Sequence, residues 1–299
     1  MFVLLIALAI SVVFLAKNYS QKQNEDDAKK IHVVASFYPL YFFAQQIGGD
    51  KVSVVNMTPA GGEPHDYEPT PQDIMKINKS KLLILNGGGL ETWIDKVRDI
   101  IDPTNTRVVV AGEDLINQTM TENENKVSDP HVWLAPALAE KMAGKIMNGL
   151  RMADPENAAY YESRARELSA RFADLDVAYR NRLASCANRN IVTAHAAFGY
   201  LAAAYQLHQI PIANLSPDAE PSPRQLGEVI QAARDYKVKY IFFESLASPK
   251  LSETIAREVG AKTLVLNPIE GLTPSELSQG GDYFTEMSKN LANLELACK

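Results

Sequence analysis

Three of the chain's five histidines stand in loop-like segments flanked by turn residues: His65 in GGEPHDYEPTP, His131 in SDPHVWLAP and His195 in TAHAAFGY. A neutral imidazole is the commonest protein ligand for zinc, and three imidazoles with one carboxylate complete a tetrahedral shell. The chemistry these residue types would do together is metal binding, so a fourth ligand has to be found. His32, inside IHVVAS, reads as a strand residue, and His208, in YQLHQI, as a helix end. Neither shares the setting of the other three. A histidine taken singly is more often a hydrogen-bonded structural residue than a ligand, so the argument rests on where the three are delivered.

Short β-branched runs bounded by turn residues recur in two groups that alternate with helical patterns. The first is IHVVAS (31–36), VSVVNM (52–57), LLILN (82–86) and RVVVA (107–111); the second is NIVTA (190–194), IPIAN (210–214), KYIFF (239–243) and KTLVL (262–266). This alternation predicts an α/β fold of two lobes, each with a mainly parallel sheet flanked by helices. Between the groups, Tyr161, Ala165, Leu168, Phe172, Leu175 and Tyr179 repeat at spacings of four and three. That is one apolar stripe down a long backbone helix joining the lobes. Asp154, Pro155 and Glu156 read as its N-cap, first-turn proline and dipole-facing acid. Continued to Ser185, the helix would be roughly 45 Å long. The expected organisation is a signal or anchor segment with a polar tether over 1–30, an N-terminal metal-binding lobe over 31–152, the linker helix over 153–185 and a C-terminal metal-binding lobe over 186–299.

In open α/β sheets, ligands collect in the crevice beyond the carboxyl ends of the strands. His65 lies beyond the second predicted strand and His195 directly beyond the fifth. His131 opens the helical run VWLAPALAEK after the loop that follows the fourth strand, and NPIEGLTPSE beyond the eighth brings Glu270 to the equivalent end of the other lobe. Two ligands from each lobe would meet in one cleft. Asp66 and Asp129, next to or near histidines, are candidate acceptors for the outer ring nitrogens.

A formal charge of −6 over 299 residues becomes −7 without the first 30, where 26 basic side chains face 33 acidic ones. Nucleic acid is excluded as a partner on that balance. Residues 2–16, FVLLIALAISVVFLA, are apolar apart from Ser11. Such a run suits a signal-peptide core better than a membrane span, which needs about 20 residues. No Lys or Arg precedes it, no small-x-small cleavage site is evident and no Cys follows to take a lipid, so cleavage and retention as an anchor both stay open. Export would place the protein in the periplasm or on the outer face of the cell membrane, touching the membrane only through this segment. The two cysteines, Cys186 and Cys298, are then expected to form a disulfide.

The segments GGEPHDYEPTPQD, NGGGLETWIDK, DPHVWLAP, IVTAHAAFGYLA, LSPDAEPSPRQL, FFESLASPKLSETIA and LNPIEGLT resemble, in order, those of the zinc-type metal-binding solute-binding proteins that feed bacterial ABC transporters. The resemblance spans 31–298. It implies a non-enzymatic, monomeric carrier that holds a divalent metal between its lobes and delivers it to a membrane permease for import. Carried over residue by residue, the ligands it implies are His65, His131, His195 and Glu270. Many zinc members carry a histidine-rich acidic loop before the second ligand; here 111–130 is acidic, short and without histidine. Manganese-type members replace the third histidine with a carboxylate and use an aspartate as fourth ligand, so three nitrogens favour Zn2+ over Mn2+ or iron. Relatives of the same fold also serve as surface adhesins. The alternative from another class is a zinc-dependent hydrolase, with Glu63 as base, but HExxH and GxSxG are absent and NGGGLE lacks the GxGxxG spacing. Glu270, as a loop carboxylate, is expected to be the ligand that swings away on release, with only slight lobe movement.

Overall fold

A computed structural model describes residues 30–122, 125–217 and 221–299. The leader at 2–16 lies outside the described residues. Among those described, no helix is long and apolar enough to cross a membrane.

The N-terminal lobe is built on β1 (Ile31–Ala35), α1 (Tyr38–Gly48), β2 (Val52–Asn56), α2 (Pro71–Lys79), β3 (Leu82–Leu85), α3 (Ile94–Val97) and β4 (Arg107–Val110), its sheet ordered β2-β1-β3-β4. An antiparallel hairpin, β5 (Thr119–Glu122) with β6 (Asn125–Ser128), follows, and then α4 (Pro136–Ala153) and α5 (Ala158–Leu183). The C-terminal lobe comprises β7 (Asn190–Thr193), α6 (Gly199–Tyr205), β8 (His208–Pro211), α7 (Pro223–Asp235), β9 (Tyr240–Phe243), α8 (Lys250–Val259), β10 (Lys262–Val265), α9 (Pro274–Ser278) and α10 (Tyr283–Cys298). Its sheet is ordered β8-β7-β9-β10, so both lobes share one strand order, and every pairing within the two sheets is parallel. The order reverses between the first and third strand of each sheet, which opens a crevice at their carboxyl ends. β3, LLIL, is buried at every position, as a central parallel strand covered on both faces should be.

Local sequence sets several helix starts. Thr70, Ser222 and Thr273 each precede a proline and are followed three residues on by Asp73, Gln225 and Glu276, and each set forms a reciprocal capping box. The proline at the first helical position gives up no hydrogen bond that a helix would have used.

The expected stripe is the buried face of α5: Tyr161, Leu168, Phe172, Leu175 and Tyr179 are buried, and Ala165 packs against them. The helix packs against α1 and α4 of the first lobe and against α6 and α10 of the second. Phe43 from the first lobe, Phe172 from α5 and Tyr283 from α10 form an edge-to-face triangle with centroids 5.1–5.8 Å apart. One continuous apolar cluster therefore runs from Val33 to Cys298 through both lobes.

Three local expectations are corrected. Asp154 does not cap α5 with its side chain; its Oδ2 accepts from Asn157 Nδ2 at 2.7 Å and from the Tyr161 hydroxyl at 2.6 Å. The chain turns through a 3-10 segment at Pro155–Asn157 first, so α5 has 26 residues and spans about 39 Å. His208 opens strand β8 rather than ending a helix, and the strand lies at His208–Pro211 instead of 210–214. Pro211 ends the regular ladder on this outer strand, though Ile212 and Ala213 still donate to Thr193 and Ala194. The hairpin within 111–130 has largely polar strands, TMTE and NKVS, and so left no apolar alternation to read. Cys186 and Cys298 are disulfide-bonded, with Cα atoms 4.9 Å apart and 112 residues of separation.

Candidate metal centre

Each candidate ligand is held by its backbone before its side chain does anything. His195 lies two residues past the end of β7; its carbonyl accepts from Thr193 Oγ1 at 2.8 Å and from Gln209 Nε2 at 2.9 Å. His131 precedes a 3-10 turn, Val132–Leu134, rather than opening the helix itself, and α4 starts at Pro136. His65 rides on the loop after β2, which Thr58 ties to the Ser36 carbonyl and Gly61 ties to Leu272 of the other lobe. Glu270 follows Ile269, a buried β-branched residue at φ 57°, whose N–H donates to Asn267 Oδ1 at 2.7 Å. Asn267 is locked in turn by Asn290 through two hydrogen bonds. A left-handed isoleucine costs on the order of 1–3 kcal/mol, so the surrounding packing must impose this turn.

These four side chains converge. His131 Nε2 lies 3.3 Å from both His65 Nε2 and His195 Nε2 and 3.1 Å from Glu270 Oε1. Glu270 Oε1 is 3.3 Å from His65 Nε2 and 3.4 Å from His195 Nε2. The whole set lies within 4.8 Å. A tetrahedron with metal bonds of about 2.0–2.1 Å has edges of about 3.3–3.4 Å, so four of the six edges match the shell of a zinc-sized ion and a fifth, at 3.1 Å, is slightly shorter.

The outer nitrogens are also engaged. Asp129 Oδ1 accepts from both the N–H of His131, at 2.9 Å, and its Nδ1, at 2.8 Å. Glu244 Oε1 does the same for His195, at 3.2 Å and 2.6 Å. Each carboxylate fixes the tautomer that leaves Nε2 facing the cluster. Burial disfavours the charged ring of His131, but its hydrogen bonds to Asp129 and Glu270 outweigh this and raise its pKa. Burial opposes the charged ring of His195 too, and the charges of Glu244 and Glu270 hold it well above the ordinary imidazole value. Burial would raise Glu270, yet the facing histidines, His195 foremost, hold it well below the usual carboxylate range. Metal binding to such imidazoles would compete with their protonation and so weaken at low pH. Glu63, whose Oε1 accepts the His65 N–H, is pushed up to about 8 by burial and by the negative charge of Glu270.

The four residues singled out from sequence are thus brought together, while His32 and His208 lie on exposed strand positions away from them. Asp129, and not Asp66, holds an imidazole. Glu244 was missed, although its place directly after β9 is the same strand-end signal that singled out the ligands. The expectation about Glu270 meets an opposing fact: its side chain is 1% exposed, against 12% for His65. His65 is the solvent-side member of the set.

The N-terminal lobe repeats the carboxylate device without a ligand on it. Ser36 follows β1 directly, near the strand-end position that His195 takes after β7. Ser36 Oγ donates to buried Glu91 at 2.6 Å, and Glu91 also accepts from the N–H groups of Asn86 and Gly87. The three glycines of NGGGLE all have left-handed φ, at 86°, 68° and 89°, and the first, Gly87, donates to this carboxylate.

The model of the family described as zinc-uptake complex component A, periplasmic (ZnuA), matches residues 33–297. The chain is 40% identical over 302 residues to the high-affinity zinc uptake system protein ZnuA of Bacillus subtilis (strain 168), covering 97% of this chain and 95% of that one. It is 35% identical to the zinc-binding lipoprotein AdcA of Streptococcus pneumoniae (strain ATCC BAA-255 / R6), with 97% of this chain covered, and spans 60% of that protein's length. The Zn(II)-bound ZnuA-like domain of S. pneumoniae AdcA superposes with a TM-score of 0.78 at 37% identity, over 90% of this chain and 99% of the domain. The laminin-binding protein Lmb of Streptococcus agalactiae, titled a bifunctional protein with adhesin and metal transporting activity, gives a TM-score of 0.80 at 32% identity, over 90% and 100%.

Proposed function

Because the chain belongs to the ZnuA family of zinc-uptake component A proteins, we propose that it is an extracytoplasmic solute-binding protein that captures zinc between its lobes and passes it to an ABC transporter permease. The observation that carries this is the ligand tetrahedron of His65, His131, His195 and Glu270, with five of its six edges at 3.1–3.4 Å. Three nitrogens and one carboxylate oxygen suit zinc better than manganese, which prefers oxygen-rich shells.

A carrier fits this site better than a hydrolase does. Catalytic zinc keeps one position open for water, whereas four protein ligands here close the shell. The chain acts as a monomer, and residues 2–16 direct its export and either leave it as a cleaved peptide or tether it to the membrane. An adhesin role is a second reading, favoured by the likeness to the laminin-binding protein, and binding to immobilised laminin tests it.

Elemental analysis of purified protein, with zinc and manganese in competition, tests the main reading. We expect one zinc per chain, displacing manganese, and a loss of that zinc in His131→Ala and His195→Ala. Unchanged stoichiometry and affinity in both variants would remove the site.

A further inference from the structure

A closed, four-ligand shell holds metal well and has to be loosened for delivery. The structure contains a link between the lobes that bears on this without touching the metal position. α6 begins four residues after His195, and its second residue, Tyr200, reaches across to the N-terminal lobe. The Tyr200 hydroxyl accepts from the N–H groups of Asn117 and Gln118, at 2.9 and 3.0 Å, and donates to the Asp129 carbonyl at 3.2 Å. These are the two sides of the base of the β5–β6 hairpin, which Asp129 N–H also closes on the Gln118 carbonyl at 2.9 Å. One residue earlier, Gly199 brings the α6 backbone so close that a Cβ there would lie 2.7 Å from Asp129 Oδ2 and 2.7 Å from Gln118 Oε1. The other oxygen of that same carboxylate grips His131 at two points.

We infer that Gly199 and Tyr200 form a latch through which the C-terminal lobe sets the orientation of His131, a ligand on the N-terminal lobe. The inference rests on the reading of the His65, His131, His195 and Glu270 cluster as the cargo site. With α6 seated, Asp129 is held from both sides and the His131 ring is locked with Nε2 toward the metal. When α6 lifts from the hairpin base, Asp129 is freed and His131 loses the partner that orients it. The same displacement moves the segment carrying His195. Two ligands then weaken together for a small movement, with no need for the lobes to part widely. Gly199 and Tyr200 are positioning residues in this scheme.

The test uses the full chain and three variants. Tyr200→Phe keeps the ring and removes the hydroxyl; Gly199→Ala sets a methyl group against Asp129. Tyr205→Phe is the control, since it deletes another α6 hydroxyl, one bonded to Asp176 at 2.9 Å instead of to the hairpin. Zinc release into a chromogenic chelator, the visible bands of the cobalt-loaded protein and the thermal midpoint of the metal-free protein are measured for each. We expect release to quicken about tenfold or more in Tyr200→Phe and Gly199→Ala, the usual scale for loss of an outer partner of a ligand. Their cobalt bands should shift, while Tyr205→Phe keeps the wild-type rate and spectrum. Wild-type rates and bands in Tyr200→Phe overturn the latch, as does equal acceleration in Tyr205→Phe; should Gly199→Ala fail to fold, Tyr200→Phe decides alone. A wild-type chain that takes up neither zinc nor cobalt overturns the cargo-site reading itself, and the latch with it.

Discussion

At the scale of single residues, the centre is a set of carboxylates with distinct tasks. Glu270 points at the cluster, whereas Asp129 and Glu244 stand behind histidines and spend their oxygens on ring nitrogens and main-chain N–H groups. An imidazole without such a partner is free to rotate or to present the wrong tautomer. Glu244→Ala should therefore lower zinc affinity about tenfold to a hundredfold while leaving one zinc per chain, because all four proposed ligands remain. Competitive titration against a chelating dye measures this. An affinity within a factor of two of wild type would mean that β7 packing alone fixes His195.

At the scale of elements, two devices hold the ligand loops. One is the left-handed turn at Ile269, imposed by the Asn267–Asn290 pair between the β10 exit and α10, so the position of Glu270 depends on α10 staying docked. The other is the disulfide that fastens the end of α10 to the start of the second lobe, where Ala187 and Asn188 also donate to the Cys298 carbonyl. Cross-linking across so long a loop restricts the unfolded chain, and its loss should cost about 2–5 kcal/mol. Buried Met287, Leu291 and Leu294 keep α10 in place without it. Cys186→Ser/Cys298→Ser should accordingly unfold at a clearly lower temperature yet bind zinc with wild-type affinity at 25 °C. A matching loss of affinity would show that the cross-link, and not the packed face of α10, positions Glu270.

At the scale of the whole molecule, the question is how far the lobes move. A hinge between separate cores would allow wide closure, as in binding proteins with flexible linkers. Here a single apolar cluster crosses both lobes, and α5 packs on each of them along 26 residues. Arg171 adds a staple: its guanidinium lies 3.9 Å from the Phe284 ring centroid while it donates to Gln46 Oε1. Opening this interface widely would expose buried aromatic surface. Small-angle scattering on metal-free and zinc-loaded protein should give nearly superimposable profiles, with loop changes and a slight lobe rotation at most. A domain closure of tens of degrees would sink this account of release and favour a hinged one.

The chain itself determined the α/β class, the two groups of strands, the stripe of the long helix and, by strand-end placement, the four residues that meet in the cleft. Those features follow from local periodicity and turn chemistry, which are written residue by residue. The placement of β8, the true start of α5 and the β5–β6 hairpin were not legible in the same way. Pro211 ends the ladder of β8 while the chain goes on pairing, Asp154 is drawn to Tyr161 instead of the helix end, and the hairpin strands are largely polar. Glu244 was within reach of the strand-end rule but carried no histidine-like chemistry to single it out. Only the tertiary structure decided which carboxylate sits behind which imidazole, that His65 rather than Glu270 faces solvent, and that Tyr200 joins one lobe to the hairpin of the other. Each of these depends on distances between segments tens to hundreds of residues apart, and those are set by packing that no local pattern encodes.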